Sequence, residues 1–115
     1  MFVRRSSLRP IDFNGLRVFD YTAGSTMGSS VASIDVPSGA QHPQAWSRRS
    51  DKYYLVVRGA VQFVVGGRQL TLEAGDFCYI KQGDRFSYRN ATTQAAALVL
   101  VHTPSFDIDA EVFEE

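Results

Sequence analysis

The chain has 115 residues, of which 44% are hydrophobic and 21% charged, values typical of a globular domain. Twelve basic and twelve acidic residues give a net charge of zero without a basic stripe, which argues against nucleic-acid binding. No apolar run approaches the ~18 residues of a membrane span, the first residues do not resemble a signal peptide, and the single cysteine, Cys78, cannot form an internal disulfide, so we expect a cytoplasmic protein.

Short runs rich in Val, Ile, Tyr and Phe alternate with turn-forming residues along the chain, which is typical of an all-β protein. Gly66-Gly67 predicts a two-residue hairpin turn, because glycine adopts a positive φ without steric cost. Ile108–Glu115 is a short acidic stretch that fits a helix, a strand or a disordered tail. No repeat or linker divides the chain, so we expect one domain over residues 1–115. The predicted strands are Leu16–Tyr21, Ser30–Val36, Tyr53–Val57, Val61–Val65, Arg68–Leu72, Phe77–Ile80, Phe86–Arg89 and Ala95–His102.

Regularly spaced strands without a long helix predict either a β-sandwich or a barrel, and two phrases in the middle of the chain favour one family of such folds. The first phrase, PSGAQHPQAWSRRSDKYYLVVRG, contains Gly39 and Gly59, and the second, GDFCYIKQGDRFSYRN, contains Gly75 and Asn90. The spacing of these landmarks over residues 37–90 resembles the two signature motifs of the cupin superfamily. The resemblance implies a double-stranded β-helix, or jelly-roll barrel.

The resemblance also implies four positions at which metal-binding cupins hold a divalent ion through three histidines and one glutamate. None of these positions carries such a residue here, so we predict no bound metal and no cofactor. The glutamate position falls on Lys52 and the histidine of the second motif on Phe86. The remaining two positions fall on Trp46 and Arg48 or, in an alternative register, on Ala45 and Ser47.

Because the metal ligands of cupins point into the mouth of the barrel, the resemblance implies a pocket lined by the side chains that replace them. In the first register, Arg48 and Lys52 take the place of the divalent ion and face an anionic ligand such as a carboxylate or an enolate. The alternative is that both cations point to solvent, where ion pairs contribute little. The pocket would be walled by Trp46, Tyr54, Phe86 and Tyr88.

Several residues of this pocket are candidates for acid–base chemistry. Burial among aromatic rings would lower the pKa of Lys52 and make it a base, while Tyr54 and Tyr88 are candidate general acids. His102 ends the last long strand and is a further acid or base. His42 is predicted to lie in a loop near the pocket mouth, where it would contact the ligand.

Two classes of function remain open. The first is a non-catalytic cupin that binds a small polar or anionic organic ligand; the alternative is a metal-independent isomerase, epimerase, lyase or cyclase. The enzyme hypothesis needs a titratable pocket group that is free to reach the ligand, whereas the binding hypothesis holds if every such group is apolar or paired with another protein group. The apolar run Tyr53–Val57 and the zero net charge are compatible with a homodimer formed through the outer sheet and the N-terminal strands.

Overall fold

The computed structural model describes residues 1–114 as two antiparallel β-sheets packed face to face. One sheet has the strand order β1-β2-β3-β10-β5-β8 and the other the order β11-β4-β9-β6-β7. The sheets are not joined into a closed barrel, so the predicted jelly roll is confirmed as an open, two-sheet roll. The strands are β1 (Ile11–Phe13), β2 (Leu16–Asp20), β3 (Ser30–Val36), β4 (Gln41–Ser47), β5 (Asp51–Arg58), β6 (Ala60–Val65), β7 (Arg68–Glu73), β8 (Phe77–Ile80), β9 (Phe86–Arg89), β10 (Ala96–Thr103) and β11 (Glu111–Glu114).

Every predicted strand is present, and no end is displaced by more than two residues. Strands β1 and β4 escaped prediction, and β11 was one of the alternatives given for its segment. Strand β4 has a weak signal because it contains Pro43 and four polar residues, which are depleted in strands. The acidic stretch is a 3₁₀ turn at Ile108–Ala110 followed by β11, so the strand alternative holds for Glu111–Glu114, half of the stretch; Glu115 lies outside the described residues.

Two glycine sites explain parts of the sequence pattern. Gly66 and Gly67 have φ values of 56° and 82°, as the two central residues of a type I′ hairpin require, and they join β6 to β7. Gly59, which closes the first motif, has a φ of 73°, and a Cβ atom built there would lie 2.9 Å from the carbonyl oxygen of Ala95. This position therefore accepts glycine for both its backbone conformation and the close approach of the neighbouring chain.

The core lies between the sheets, where alternate side chains of each strand meet. Phe63 and Tyr88 pack with their ring centroids 4.8 Å apart, and the ring of Tyr54 contacts both at 5.2 and 5.5 Å. All three are almost completely buried. Aromatic side chains dominate core energetics because each buries a large apolar area, so this cluster anchors β5, β6 and β9 to one another.

A β-bulge interrupts the pairing of β4 with β9. His42 lies opposite Tyr88 and Ala45 lies opposite Phe86, so three steps along β4 match two steps along β9. The extra residue changes the phase of the side chains, and both His42 and Ala45 consequently face the interior. His42 is therefore part of a strand, and its predicted loop location is wrong.

The outer surface of the six-stranded sheet is notably apolar along β5 and β8. Val57 and Phe77 are 50% and 61% exposed, and the ring of Tyr53 stacks on those of Phe77 and Tyr79.

Within residues 1–114, no helix has the length and apolar character that crossing a bilayer would require.

Candidate functional site

A cavity of about 370 Å³ lies between the two sheets and is partly open to solvent. This volume is within the range of small-molecule sites. The part of the wall formed by β1 to β3 is mainly apolar, and the part formed by β4, β5, β9, β10 and β11, which come from both sheets, carries most of the polar groups. The polar groups of that wall are His42, Lys52, Tyr54, Tyr88, His102 and Glu111.

A buried ion pair forms the centre of the polar wall. The Lys52 ammonium donates to Glu111 Oε1 and to Nε2 of His102, the latter at 2.8 Å. The side chains of Lys52 and Glu111 are each 4% exposed. Desolvation lowers the pKa of Lys52, and the carboxylate of Glu111 opposes that effect by attraction and hydrogen bonding. The pair thus keeps a positive charge in an apolar interior, where an isolated ammonium would be strongly disfavoured.

His102 is held as a neutral ring by the same contact. Because Lys52 donates to Nε2, this nitrogen carries the lone pair and the ring proton resides on Nδ1. Burial, and to a lesser extent the charge of Lys52, lowers the pKa of His102 to about 3. The ring of Phe106 packs against that of His102, with centroids 5.1 Å apart. His102 lines the cavity, but its Nε2 already accepts a hydrogen bond from Lys52.

His42 has a different arrangement that leaves one nitrogen available. Its Nδ1 lies 2.7 Å from the carbonyl oxygen of Pro43, which can only accept, so Nδ1 is protonated and Nε2 carries the lone pair. Burial lowers the pKa of His42 to about 4, with a smaller contribution from Lys52, although the Pro43 contact opposes the shift. The ring packs against Phe86 and Tyr88 at 5.0 and 5.1 Å. At neutral pH His42 is therefore an uncharged imidazole in the form that accepts a proton.

Two tyrosines of the cavity remain protonated at neutral pH. Burial raises the pKa of Tyr54, and the neighbouring Tyr88 raises it further. Burial also raises the pKa of Tyr88. The hydroxyl of Tyr88 is buried and has no hydrogen-bond partner among residues 1–114. Both side chains can therefore donate a proton or a hydrogen bond.

The predicted inward orientation of Trp46 and Arg48 is wrong. Ala45 and Ser47 face the interior instead, and Trp46 lies on the other side of β4, with the guanidinium groups of Arg48 and Arg85 at 5.4 and 5.8 Å from its ring. The prediction assumed that the turn between β4 and β5 preserves side-chain alternation. The three residues of that turn change the phase, so the inward positions are Ser47 and Lys52 rather than Trp46 and Lys52.

The remaining predicted site residues lie in or beside the cavity. Phe86 is buried behind it, with its ring 5.5 Å from the Lys52 ammonium, and Lys52 and Tyr54 line it together on β5 as their shared parity predicted. The residue that sequence reasoning missed is Glu111. Its only signal was membership of the acidic stretch in which a strand was one alternative, and the partner 59 residues away could not be read from the pattern.

Comparison with known proteins shows the family to which the chain belongs. The family model described as "Cupin domain" matches residues 32–102, which is more than half of the chain. The chain belongs to the cupin family. A curated relative, endoribonuclease YbeY of Myxococcus xanthus, is 31% identical over 107 residues, which are 90% of this cupin and 36% of the relative. This cupin thus spans about a third of the length of that relative.

Solved structures resemble this cupin over nearly its whole length. Pac13 of Streptomyces, described as a nucleoside dehydratase, superposes with a TM-score of 0.87 at 19% identity, covering 100% of this cupin and 91% of that chain. Three substituted forms of Pac13, one with a histidine replaced by glutamine and two with a tyrosine replaced by phenylalanine, are described with uridine. A predicted oxalate decarboxylase of Thermotoga maritima superposes with a TM-score of 0.83 at 18% identity, covering 90% of this cupin and 99% of that chain.

The inward positions of this cupin do not fit the divalent metal that the family's motif implies. The glutamate position holds an ammonium group, which repels a cation, and the histidine position of the second motif holds the phenyl ring of Phe86. The pair of histidine positions falls on Ala45, which has no donor, and on Ser47, whose hydroxyl accepts from the backbone N–H of Arg49 and Ser50 at 3.1 and 2.9 Å. Divalent metals prefer imidazole, thiolate and carboxylate ligands. Residues 1–114 also contain no group of three His, Cys, Asp or Glu side chains placed to hold a metal ion.

Proposed function

We propose that this cupin is an acid–base enzyme that works without a metal and removes water from a small organic compound with a hydroxyl group two carbons from its carbonyl carbon. The observation that carries the proposal is His42, whose imidazole is neutral and whose Nε2 is not engaged by the contact to Pro43. A titratable cavity group that is free to reach a ligand is what favours a catalyst over a simple binding protein. A nucleoside-like substrate is consistent with the similarity to Pac13.

The reaction needs three separate roles, and the cavity offers one group for each. Nε2 of His42 takes the proton from the carbon next to the carbonyl, and the electron pair moves to the carbonyl oxygen, forming an enolate. The Lys52 ammonium stabilises that negative charge. When the enolate collapses, the carbon–oxygen bond to the hydroxyl breaks, and Tyr88 donates the proton that releases water. The proton on His42 then returns to the tyrosine oxygen through solvent, which restores both groups.

The test measures turnover of glyceraldehyde and related sugar aldehydes, in which the carbonyl and the hydroxyl have this spacing. Loss of water is followed by mass spectrometry, and exchange of the carbon-bound hydrogen is followed by NMR in D₂O. We expect His42→Gln to lower the rate by roughly 10²–10⁴-fold, the usual contribution of a positioned acid or base.

The matched control is Gln41→Ala, which changes the exposed neighbour of His42 on the same strand and should leave the rate unchanged. Equal rates for wild type and His42→Gln would remove His42 from the mechanism. Saturable binding of uridine without turnover of any compound would instead support the second function, a cupin that only binds a small ligand. That function is favoured by Lys52, since its charge is already balanced by Glu111.

We also propose that two copies of this cupin associate through the outer face of β5 and β8. Exposed apolar patches of this kind commonly mark interaction sites, and a chain without net charge repels its own copies only weakly. Light scattering at micromolar concentration should give the mass of a dimer, and Phe77→Lys should shift it to the mass of a monomer. Gln69→Lys, on the other sheet, is the control and should remain dimeric. A wild-type monomer at these concentrations would reject the interface.

A further inference from the structure

Two buried polar atoms of the cavity have no hydrogen-bond partner among the described residues. They are Oε2 of Glu111 and the hydroxyl oxygen of Tyr88. Both residues line the cavity, and both side chains are more than nine-tenths buried. A buried polar group without a partner costs about 1–3 kcal/mol. A ligand that supplies the missing partners would therefore be stabilised at this position.

The chemistry of Glu111 defines what that partner has to be. Its Oε1 already accepts from Lys52, and its Oε2 can only accept as well. The ligand group that reaches Oε2 must therefore be an O–H or N–H donor. A ligand carboxylate at this point would place two like charges together without a proton between them, which is unfavourable.

The charges around the cavity point the same way. Lys52 contributes one positive charge, while Glu111 and Asp20 contribute two carboxylates to the lining. The Asp20 carboxylate accepts from the backbone N–H and the hydroxyl of Thr22, at 3.0 and 3.2 Å, and both hydrogen bonds leave its negative charge in place. Because the two histidines that line the cavity are neutral at physiological pH, the lining has an excess of negative charge. An anionic ligand is disfavoured relative to a neutral one.

The mouth of the cavity is apolar, in contrast to the charged interior. Ile11 and Ile108 line it and are each 56% exposed, and Phe106 and Phe113 line it with 42% exposure. These apolar groups gain free energy only if something apolar covers them, at roughly 25 cal/mol per Å². A ligand with its polar end at Glu111 would extend its other end past these side chains.

We propose that this cavity selects neutral ligands that carry a hydroxyl or N–H donor at one end and an apolar or aromatic group at the other, and that Glu111 distinguishes them from anions. The inference shares its cavity with the proposed enzyme function but concerns which compounds bind rather than which bonds break. It narrows the predicted polar or anionic metabolite to a neutral one.

The test compares benzyl alcohol with benzoate, two probes of similar size that differ in the donor and the charge. Dissociation constants are measured by NMR titration at pH 7.5. We expect wild type to bind benzyl alcohol at least tenfold more tightly than benzoate. In Glu111→Gln the amide oxygen can still accept from Lys52, but the group at the Oε2 position becomes an N–H donor and the ammonium loses its counterion. The preference for the alcohol should therefore fall at least tenfold or reverse.

Glu114→Gln is the matched control, because Glu114 lies on the same strand and pairs with Arg85 outside the cavity. It should retain the wild-type preference. The proposal is overturned if wild type binds benzoate as tightly as benzyl alcohol, or if it binds neither. This outcome does not depend on whether a variant folds. An unchanged preference in folded Glu111→Gln also overturns it. Selective binding of the alcohol without turnover of any sugar aldehyde would leave this inference in place and reject the dehydration.

Discussion

Removing the carboxylate of Glu111 by substitution with alanine should destabilise the folded protein by about 3–5 kcal/mol. The reason is that the Lys52 ammonium would stay buried without its counterion, keeping only the neutral His102 as an acceptor. Breaking one side of a buried pair is far more costly than losing the attraction itself, because the remaining charge must be desolvated or neutralised. Urea unfolding at pH 7, followed by circular dichroism, measures the change.

Two comparisons separate the charge effect from loss of packing. The double variant Lys52→Met/Glu111→Leu removes both charges and keeps apolar volume, so it should recover most of the stability that Glu111→Ala loses. Glu114→Ala breaks a more exposed pair with Arg85, and a change of about 0–1 kcal/mol is expected there. A double variant less stable than the single one would mean that the ion pair is net stabilising, contrary to this account.

Lowering the pH from 7 to 4 should reduce the free energy of unfolding by several kcal/mol. In the unfolded chain both histidines take up a proton near pH 6.5, whereas in the folded protein the pKa of His42 is about 4 and that of His102 about 3. Between these values the unfolded state binds more protons, so falling pH favours unfolding. With about 1.4 kcal/mol per pKa unit, each ring contributes on the order of 2–3 kcal/mol by pH 4. Well above pH 6.5 both rings are neutral in the folded and in the unfolded state, so this loss of stability is absent there.

Urea midpoints measured at intervals from pH 8 to pH 4 test the linkage. Side-chain carboxylates also titrate in the lower part of the range, so the informative quantity is the difference between wild type and His102→Gln, which has one histidine fewer. The variant should show a markedly smaller loss of stability between pH 6.5 and 4. Parallel profiles for the two proteins would show that burial of this imidazole does not govern the acid response.

Most of the fold could be predicted from the sequence because the signals for strands and turns are local. Turn residues such as Gly66-Gly67 and alternating strands such as Phe86–Arg89 depend on short-range backbone preferences. The landmark glycines added a fixed spacing that no single strand provides. Strands β1 and β4, which were missed, and β11, for which a strand was only one alternative, pair with the edges of neighbouring strands, and such tertiary effects override weak β-propensity.

The site was less predictable because it depends on which face of a strand each side chain takes and on contacts between residues far apart in the sequence. Lys52 and Tyr54 could be placed together because they share one uninterrupted strand. Trp46 could not, since a turn of three residues separates it from β5 and reverses the orientation that simple counting gives; Arg48 lies in that turn. Glu111 reaches Lys52 only after β11 has paired with β4, and no local pattern indicates which residue an acidic segment will meet.

The bulge at the start of β4 has a consequence for reading this family. The position of the proposed base depends on a count of residues rather than on a residue type, since the extra step between His42 and Ala45 is what turns the imidazole inward. A homologue with a histidine in the same column of an alignment but one residue fewer before the turn would present that ring to bulk water. Percentage identity would score the two chains as equivalent, whereas only one of them would have the imidazole inside.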